Sequence, residues 1–372
     1  MRTYKFADIL RNTIKNILWY KVIHIVNITD VWHLTSDGDT WEDKMEKGSK
    51  REWLSTWDIA RKYEGIFKEH LKLLNIQDFD LFPRATEHIQ EQIDMVKILE
   101  EKWYTYTVPN DGIYMDTSKV SDYGKLIWKN YKKHIEWLNA WERIEMGWKR
   151  NSTDFALWKF SPQNEKRQME RDSPWGIWFP WWHIECTAMS CKYLWEEFDI
   201  HTWWFDHIPI HHTNEIAQAE CVLWIKDNIK YWMHVQFLNV NWWKMSKSDW
   251  TFLTLNDILE KWFEPLALRY MFLNSHYRNF QDFTWDNLKS FQTWRQNMIQ
   301  KLSTYFFAEK KWTLVTNDYK FEDIKNYEEF INQKLHSEEG KKIFDEVIDA
   351  LLDDLNTSKM ISLINKYLWE YW

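Results

Sequence analysis

Glycine is scarce in this chain and tryptophan is abundant. The 372 residues include 8 glycines and 29 tryptophans, whereas glycine ordinarily makes up about 7% of a protein. Glycine reaches positive φ freely, while a bulky residue does so only under strain. A chain with so few glycines therefore has few residues suited to tight turns, which limits the folds that it can adopt without strained loops.

The excess tryptophans stand in segments with the composition of turns. Examples are Trp203-Trp204 after Thr202, Trp242-Trp243 after Asn241, and Trp250 after Asp249. One interpretation is a genuinely tryptophan-rich protein. The other interpretation is that tryptophan stands at positions suited to glycine. This second interpretation is favoured because the excess falls in loops and not on one face of a helix or strand.

Composition narrows the class of protein. The net charge of −8 does not indicate a bulk-basic nucleic-acid binder, although it leaves room for a local basic patch. The three cysteines, Cys186, Cys191 and Cys221, form no paired framework, which predicts a reducing, cytoplasmic setting. No apolar run reaches the roughly 18 residues that a membrane span needs, and the start lacks an apolar signal core. The length predicts two or three domains, at roughly 100–200 residues each.

Periodicity predicts an α/β core followed by an all-helical part. A hairpin is predicted around Asn110-Asp111-Gly112, a strong turn signal, and a helix is predicted to start at Pro265. The other predicted elements are strands at 20–28, 198–201 and 231–240, helices at 54–74 and 86–103, a polar excursion at 129–153, and helices from 255 into a charged tail at 321–372.

Three residues have the side-chain chemistry of a zinc site. His211 and Glu215 lie four apart on a predicted helix and so share one face, and Cys186 precedes them. Zinc takes cysteine, histidine and carboxylate ligands. Taken alone, each part has an ordinary alternative: a solvated histidine–glutamate pair, or a small buried cysteine.

Several segments occur in the order found in one family. They are Trp182-His183-Ile184-Glu185-Cys186, Phe198-Asp199-Ile200-His201, Pro209-Ile210-His211-His212-Thr213-Asn214-Glu215 and Lys244-Met245-Ser246-Lys247-Ser248. In wording and order they resemble the cysteinyl-tRNA synthetases, which belong to class I of the aminoacyl-tRNA synthetases. The likeness covers nearly the whole chain, including residues 27–30 and 266–269.

The resemblance implies that Cys186, His211 and Glu215 bind Zn²⁺, which in the family holds the thiolate of the substrate cysteine. A soft thiolate binds zinc better than a hydroxyl does, so serine would be rejected. The family's further ligand is a cysteine in an earlier strand, and no cysteine precedes Cys186 here.

The resemblance also implies the remaining site residues. Trp182, His201 and Thr29 would line the pocket for L-cysteine, although Trp182 could equally be an ordinary core residue. Asp206 and Lys247 would bind ATP, accompanied by Mg²⁺. Lys244 and Lys247 would be catalytic, since mobile ammonium groups offset charge on the transferring phosphate. The ordinary alternatives are a solvated basic loop for the lysines and a turn-forming Asp206.

The fold that the resemblance implies is a doubly wound parallel nucleotide-binding sheet with an insertion, followed by a helical domain facing tRNA(Cys). Its parts would be the first catalytic half at 1–102, the connective insertion at 103–154, the second half with the zinc site and lysine motif at 155–254, and the helical domain at 255–372. The family's His-Ile-Gly-His-like turn and first strand are expected to be missing ahead of Arg2-Thr3, and the helical domain is expected to be truncated.

Three functions follow as hypotheses. The first is ATP-dependent activation of L-cysteine and its transfer to tRNA(Cys). The second is a related ligase joining cysteine to an amino-sugar acceptor, which the helical extension after Leu255 disfavours. The third is a non-catalytic remnant that binds zinc, cysteine or tRNA. No membrane partner is expected, and the oligomeric state is not readable.

The same likeness bears on the tryptophan excess. Trp158, Trp175 and Trp182 stand where the family has tryptophan. The positions where it has glycine hold Trp19, Trp32, Trp181, Trp203, Trp204, Trp242, Trp243 and Trp250. The replacements all run in one direction, from glycine to tryptophan. This suggests that the gene contains UGA codons that the cell reads as glycine, and that these codons are translated as tryptophan in the present sequence.

Overall fold

The computed structural model describes residues 1–30, 48–49, 51–76, 79–130, 149–161, 169–180, 182–245, 251–309 and 337–370. The chain forms two compact units. The first comprises Met1–Val22, His70–Gln77 and Val235–Trp372, and the second comprises Ile23–Glu69 and Asp78–His234. The four-part division expected from the family likeness stays a prediction.

Within the described residues, α-helices account for most of the regular structure. They are α1 (Arg2–Asn12), α2 (Thr56–Leu73), α3 (Ile89–Glu101), α4 (Trp182–Leu194), α5 (Thr213–Leu223), α6 (Leu255–Glu260), α7 (Pro265–Leu273), α8 (Trp285–Glu309), α9 (Glu338–Leu352) and α10 (Thr357–Glu370). The predicted helices at 54–74 and 86–103 are confirmed as α2 and α3, and α7 begins at Pro265 as predicted. None of the described helices is long and apolar enough to cross a membrane.

The strands are short. They are β1 (Thr105–Val108), β2 (Gly112–Met115), β3 (Phe155–Phe160), β4 (Arg171–Ser173), β5 (Gly176–Pro180), β6 (Phe198–Trp204), β7 (Ile229–Val235), β8 (Leu238–Val240), β9 (Trp243–Lys244) and β10 (Gln281–Phe283). The predicted strand at 198–201 is confirmed within β6. The predicted excursion at 129–153 and the first part of the tail lie mostly outside the described residues.

An antiparallel sheet lies in the second unit, with the order β1-β2-β3-β5-β4. The predicted hairpin joins β1 to β2, and Asn110 at its tip has a φ of 62°. A Cβ on Gly112 would lie 2.1 Å from the carbonyl oxygen of Trp158 on β3. Glycine is therefore required there by the close approach of two strands.

The core of the second unit holds the helices that carry the candidate site. Ile184 on α4 and Ala217 on α5 are buried in one apolar cluster with Leu99 of α3 and Trp158 of β3. Trp158 has no solvent exposure at all. Packing against a common core fixes α4 and α5 as rigid supports.

The strand predicted at 20–28 was wrong as a regular element. Only isolated parallel bridges form, between Ile25 and Leu81 and between Ile28 and Arg84. Asp30, just beyond them, is buried and accepts hydrogen bonds from the backbone N–H and the hydroxyl of Thr86, at 2.9 Å and 2.6 Å. The segment is thus held in parallel alignment by a few anchored contacts.

The single strand predicted at 231–240 is two strands, β7 and β8. Between them, the backbone groups of Gln236 and Phe237 bond to residues elsewhere in the chain. The guanidinium of Arg2 donates to the carbonyl oxygens of Gln236 and Phe237, at 2.8 Å and 3.0 Å. The backbone N–H of Gln236 donates to Tyr277. After this break, β8 pairs parallel with β10 and antiparallel with β9 in the first unit.

Candidate metal centre and its surroundings

Two helix starts carry the predicted metal ligands. Cys186 lies in the second turn of α4, and Glu215 lies in the first turn of α5. His211 belongs to a π-helical turn, Ile208–His212, that leads directly into α5. Such wide turns occur often at functional sites. Here the turn leaves His211 Nε2 3.0 Å from Glu215 Oε1.

The structure brings the three predicted ligands together. The ligand atoms of Cys186, His211 and Glu215 all lie within 4.8 Å of one another. His211 and Glu215 are only 6% and 2% exposed. A buried set of sulfur, imidazole and carboxylate donors is a set that zinc uses.

The carboxylate of Glu215 is suited to binding a cation. It is 2% exposed, and its nearest polar neighbours are themselves possible metal ligands: His211 Nε2 lies 3.0 Å away, His201 Nε2 lies 3.4 Å away, and the Cys186 thiol is within hydrogen-bonding reach. A buried carboxylate is costly unless it is paired, and a metal ion would supply the positive charge. The residues present therefore fit a zinc ion, with Cys186 as the soft ligand.

Burial and neighbouring charges set the protonation of these ligands. Burial, followed by the nearby Glu215 and Glu185, raises the pKa of the Cys186 thiol well above its usual value, while a hydrogen bond with Asn27 opposes the shift. Burial also acts to raise the pKa of Glu215, but His201 and His211 outweigh it, so the net shift is downward. Without a cation, the thiol is therefore protonated and the carboxylate is charged.

A second group shares the same carboxylate. His201, His212 and Glu215 also place their ligand atoms within 4.8 Å of one another. His212 Nδ1 lies 2.8 Å from Nε2 of His234 on β7. Burial lowers the pKa values of His201 and His212, so both imidazoles are neutral at neutral pH and each keeps a ring nitrogen with a lone pair.

His183 is a buried neighbour of the cluster that the sequence motifs did not predict. Its Nδ1 lies 2.8 Å from Nδ1 of His211, and it is buried with its ring edge-on to Phe155. This hydrogen bond at Nδ1 fixes the orientation of the His211 ring, so that its Nε2 faces Glu215. His183 belongs to the segment that carries Cys186, which was a usable signal. His207 and His234, which also border the cluster, had no such signal.

The other predicted site residues are less fully placed. Asp206 is exposed in a short helix, Phe205–His207, and Thr29 is partly buried beside Asp30. Trp182 begins α4 and Lys244 ends β9, and only their backbones are described. Lys247 lies outside the described residues. The roles given to these five residues stay predictions.

Comparison with known proteins decides the family. Residues 1–293 match the family described as the tRNA synthetases class I (C) catalytic domain. A cysteine–tRNA ligase of Treponema denticola is 39% identical over 368 residues, covering 97% of this chain and 72% of that protein. The chain belongs to the cysteine–tRNA ligase family. The resemblance read from the motifs is thereby confirmed.

A further relative and a solved structure extend the comparison. Cysteine–tRNA ligase 1 of Burkholderia lata is 48% identical over 294 residues, which are 79% of this chain and 61% of that ligase. The chain thus spans less than two thirds of that relative. A Mycobacterium tuberculosis methionyl-tRNA synthetase in complex with methionyl-adenylate aligns with 99% of this chain and 77% of its own, with a TM-score of 0.64 and 14% identity. Together with the family match, this confirms the predicted fold class, the Rossmann-like α/β catalytic domain of class I synthetases.

Proposed function

We propose that this chain activates L-cysteine with ATP, forming cysteinyl-adenylate and pyrophosphate, and transfers the cysteinyl group to tRNA(Cys). The observation that supports this most is the convergence of Cys186, His211 and Glu215 in one buried cluster. Zinc held by such a set would bind a thiolate better than a hydroxyl, which is the chemistry needed to select cysteine against serine. The unpaired cysteines fit a reducing cytoplasm.

Zinc held by Cys186, His211 and Glu215 would supply an open coordination position for the thiolate of the substrate. The protein's own part is to hold the three donors together and keep water out. His183 orients His211, and the side chain of Asn27 forms a hydrogen bond with the Cys186 thiol. Neutral His201 lines the same cluster and could take the hydrogen bond of an incoming substrate.

The nucleotide chemistry rests on the family likeness. Asp206 and Lys247 would bind ATP with its Mg²⁺, and Lys244 and Lys247 would offset the charge that develops on the phosphate during adenylate formation. Lysine suits this task because its ammonium group is a compact charge on a flexible stem. Backbone pairing of Lys244 with Asn239 anchors the start of the motif to β8.

Cysteine-dependent exchange between ATP and pyrophosphate tests the activation step, and charging of tRNA(Cys) tests the transfer. The complete natural gene product should show both, with serine giving no measurable exchange. Exchange without charging would indicate a different acceptor, such as an amino sugar. Absence of cysteine-dependent exchange would contradict the proposal and leave a binding protein.

Replacing His183 with alanine is expected to weaken zinc binding about 10–100-fold, because His211 loses the partner that orients it. The measurement is a competition titration with a chromogenic chelator. His88→Ala is the matched control, because His88 is also buried and makes two polar contacts, with Arg84 and Tyr193, outside the cluster. Equal zinc affinities for the two variants would refute the positioning role.

Replacing Lys247 with alanine is expected to lower the rate of cysteine-dependent exchange by about 10²–10³-fold, the usual cost of removing one transition-state charge partner. Zinc content should stay unchanged. Lys230→Ala is a suitable control, since this exposed lysine forms an ion pair with Glu197 at 2.7 Å and is not part of the Lys244–Ser248 segment. An unchanged exchange rate in Lys247→Ala would exclude Lys247 from catalysis.

A further inference from the structure

Among the described residues, seven tryptophans have backbones in the left-handed region. Their φ values run from 55° to 68°. Positive φ is a genuine outlier for a bulky residue, whereas glycine adopts it without a Cβ penalty. The residues are Trp19, Trp53, Trp103, Trp195, Trp224, Trp242 and Trp262.

Two of them close helices in the manner of a Schellman motif. After α3, the N–H of Trp103 donates to Glu100 and that of Tyr104 donates to Leu99, both at 2.9 Å. After α6, Trp262 and the residue that follows it make the same pair of bonds, at 2.9 Å and 3.1 Å. The residue in the left-handed conformation at this position is usually glycine, because it must turn the chain while these bonds form.

A third helix ends in the simpler left-handed cap. Trp224 follows α5 with φ 59° and ψ 28°, and its N–H donates to the carbonyl oxygen of Glu220 at 3.0 Å. This bond satisfies a carbonyl that the helix end would leave without a partner. Glycine is again the usual residue at this position.

Trp242 lies in a hairpin loop and not at a helix end, and glycine is preferred at this position too. Asn241 and Trp242 are the two residues between β8 and β9, with φ values of 49° and 68°, and the flanking Val240 and Trp243 pair across the strands. A two-residue hairpin loop with positive φ at both positions is a type I′ turn, for which Asn-Gly is strongly preferred. The chain has Asn-Trp.

The indole rings at these seven positions are largely in solvent. Their exposed fractions run from 68% to 94%. An exposed ring buries little apolar surface to offset backbone strain. Trp158 is the opposite case, since it lies in β3 with no exposure and fills the core of the second unit.

We infer that glycine occupies these seven positions in the polypeptide that the cell makes, through codons that are read as glycine and written here as tryptophan. Trp19 and Trp242 also stand where the family likeness expects glycine. The other five, Trp53, Trp103, Trp195, Trp224 and Trp262, are assigned by their backbone conformation and exposure, without the family likeness. Trp203, Trp204 and Trp243 lie in β-strands, so for them only the family likeness supports glycine.

Tandem mass spectrometry of peptides from the protein isolated from its own organism tests this inference. Glycine is expected at all seven positions, and tryptophan is expected at Trp158, which serves as the internal control. The gene provides a second measurement: UGA is expected at the seven codons and UGG at Trp158. Tryptophan in the peptides, or UGG at the seven codons, would overturn the inference whatever the activity of the protein.

Discussion

Replacing Cys186 with alanine is expected to remove the bound zinc and to lower cysteine-dependent exchange by more than about 100-fold. Loss of a partner that merely orients a ligand costs about 10–100-fold in metal affinity or activity, and Cys186 supplies the one sulfur within the cluster of described ligand atoms. Its removal leaves His211 and Glu215 without a soft ligand. Discrimination against serine should fall together with exchange, because both depend on the metal.

Cys191→Ala is the matched control for this variant. Cys191 lies on the same helix, α4, and is partly buried, and its thiol is not among the clustered ligand atoms. Zinc content and exchange should therefore stay near those of the parent protein. Full zinc occupancy in Cys186→Ala, or equal losses of zinc and exchange in both variants, would show that Cys186 has only a packing role.

In a chain produced with tryptophan at the seven left-handed positions, replacing all seven with glycine is expected to raise the free energy of unfolding by several kcal/mol. A bulky residue held in the left-handed region costs about 1–3 kcal/mol. The entropy that glycine adds to the unfolded chain opposes this gain by roughly 0.5–1 kcal/mol per site. Because the sites are separated along the chain and occupy different turns, their effects should nearly add.

Denaturant titration measures this gain, and Trp158→Gly is the control. Trp158 is fully buried, so its loss should lower stability by at least about 3–5 kcal/mol, the cost of truncating a large core aromatic. The same chemical substitution is thus expected to act with opposite sign at the two kinds of position. A sevenfold variant less stable than the parent would contradict the strain argument.

Local chemistry made part of the fold predictable. The turn at Asn110-Asp111-Gly112 and the start of α7 at Pro265 depend on residues next to one another, and both were confirmed. The break between β7 and β8 could not be predicted in the same way. At this break Gln236 bonds to Arg2 and Tyr277, and Arg2 lies 234 residues from Gln236 in the sequence.

The candidate site was also predictable only in part. Cys186, His211 and Glu215 were predicted from motif order, and the structure groups them. The contact between His183 and His211 joins residues 28 apart, and that between His212 and His234 joins residues 22 apart. No periodicity links such pairs, because the packing of α4, α5 and β7 brings them together. Likewise, a composition count shows too many tryptophans, but only backbone angles single out Trp53 or Trp195.

The metal content of the purified complete gene product is the most direct test of the central claim, that Cys186, His211 and Glu215 form a zinc site. Elemental analysis should find one zinc per chain, and X-ray absorption should show sulfur at about 2.3 Å together with nitrogen or oxygen ligands. Both signals should disappear in Cys186→Ala and persist in Cys191→Ala. A folded protein that binds no zinc, or whose zinc shows no sulfur ligand, would contradict the account.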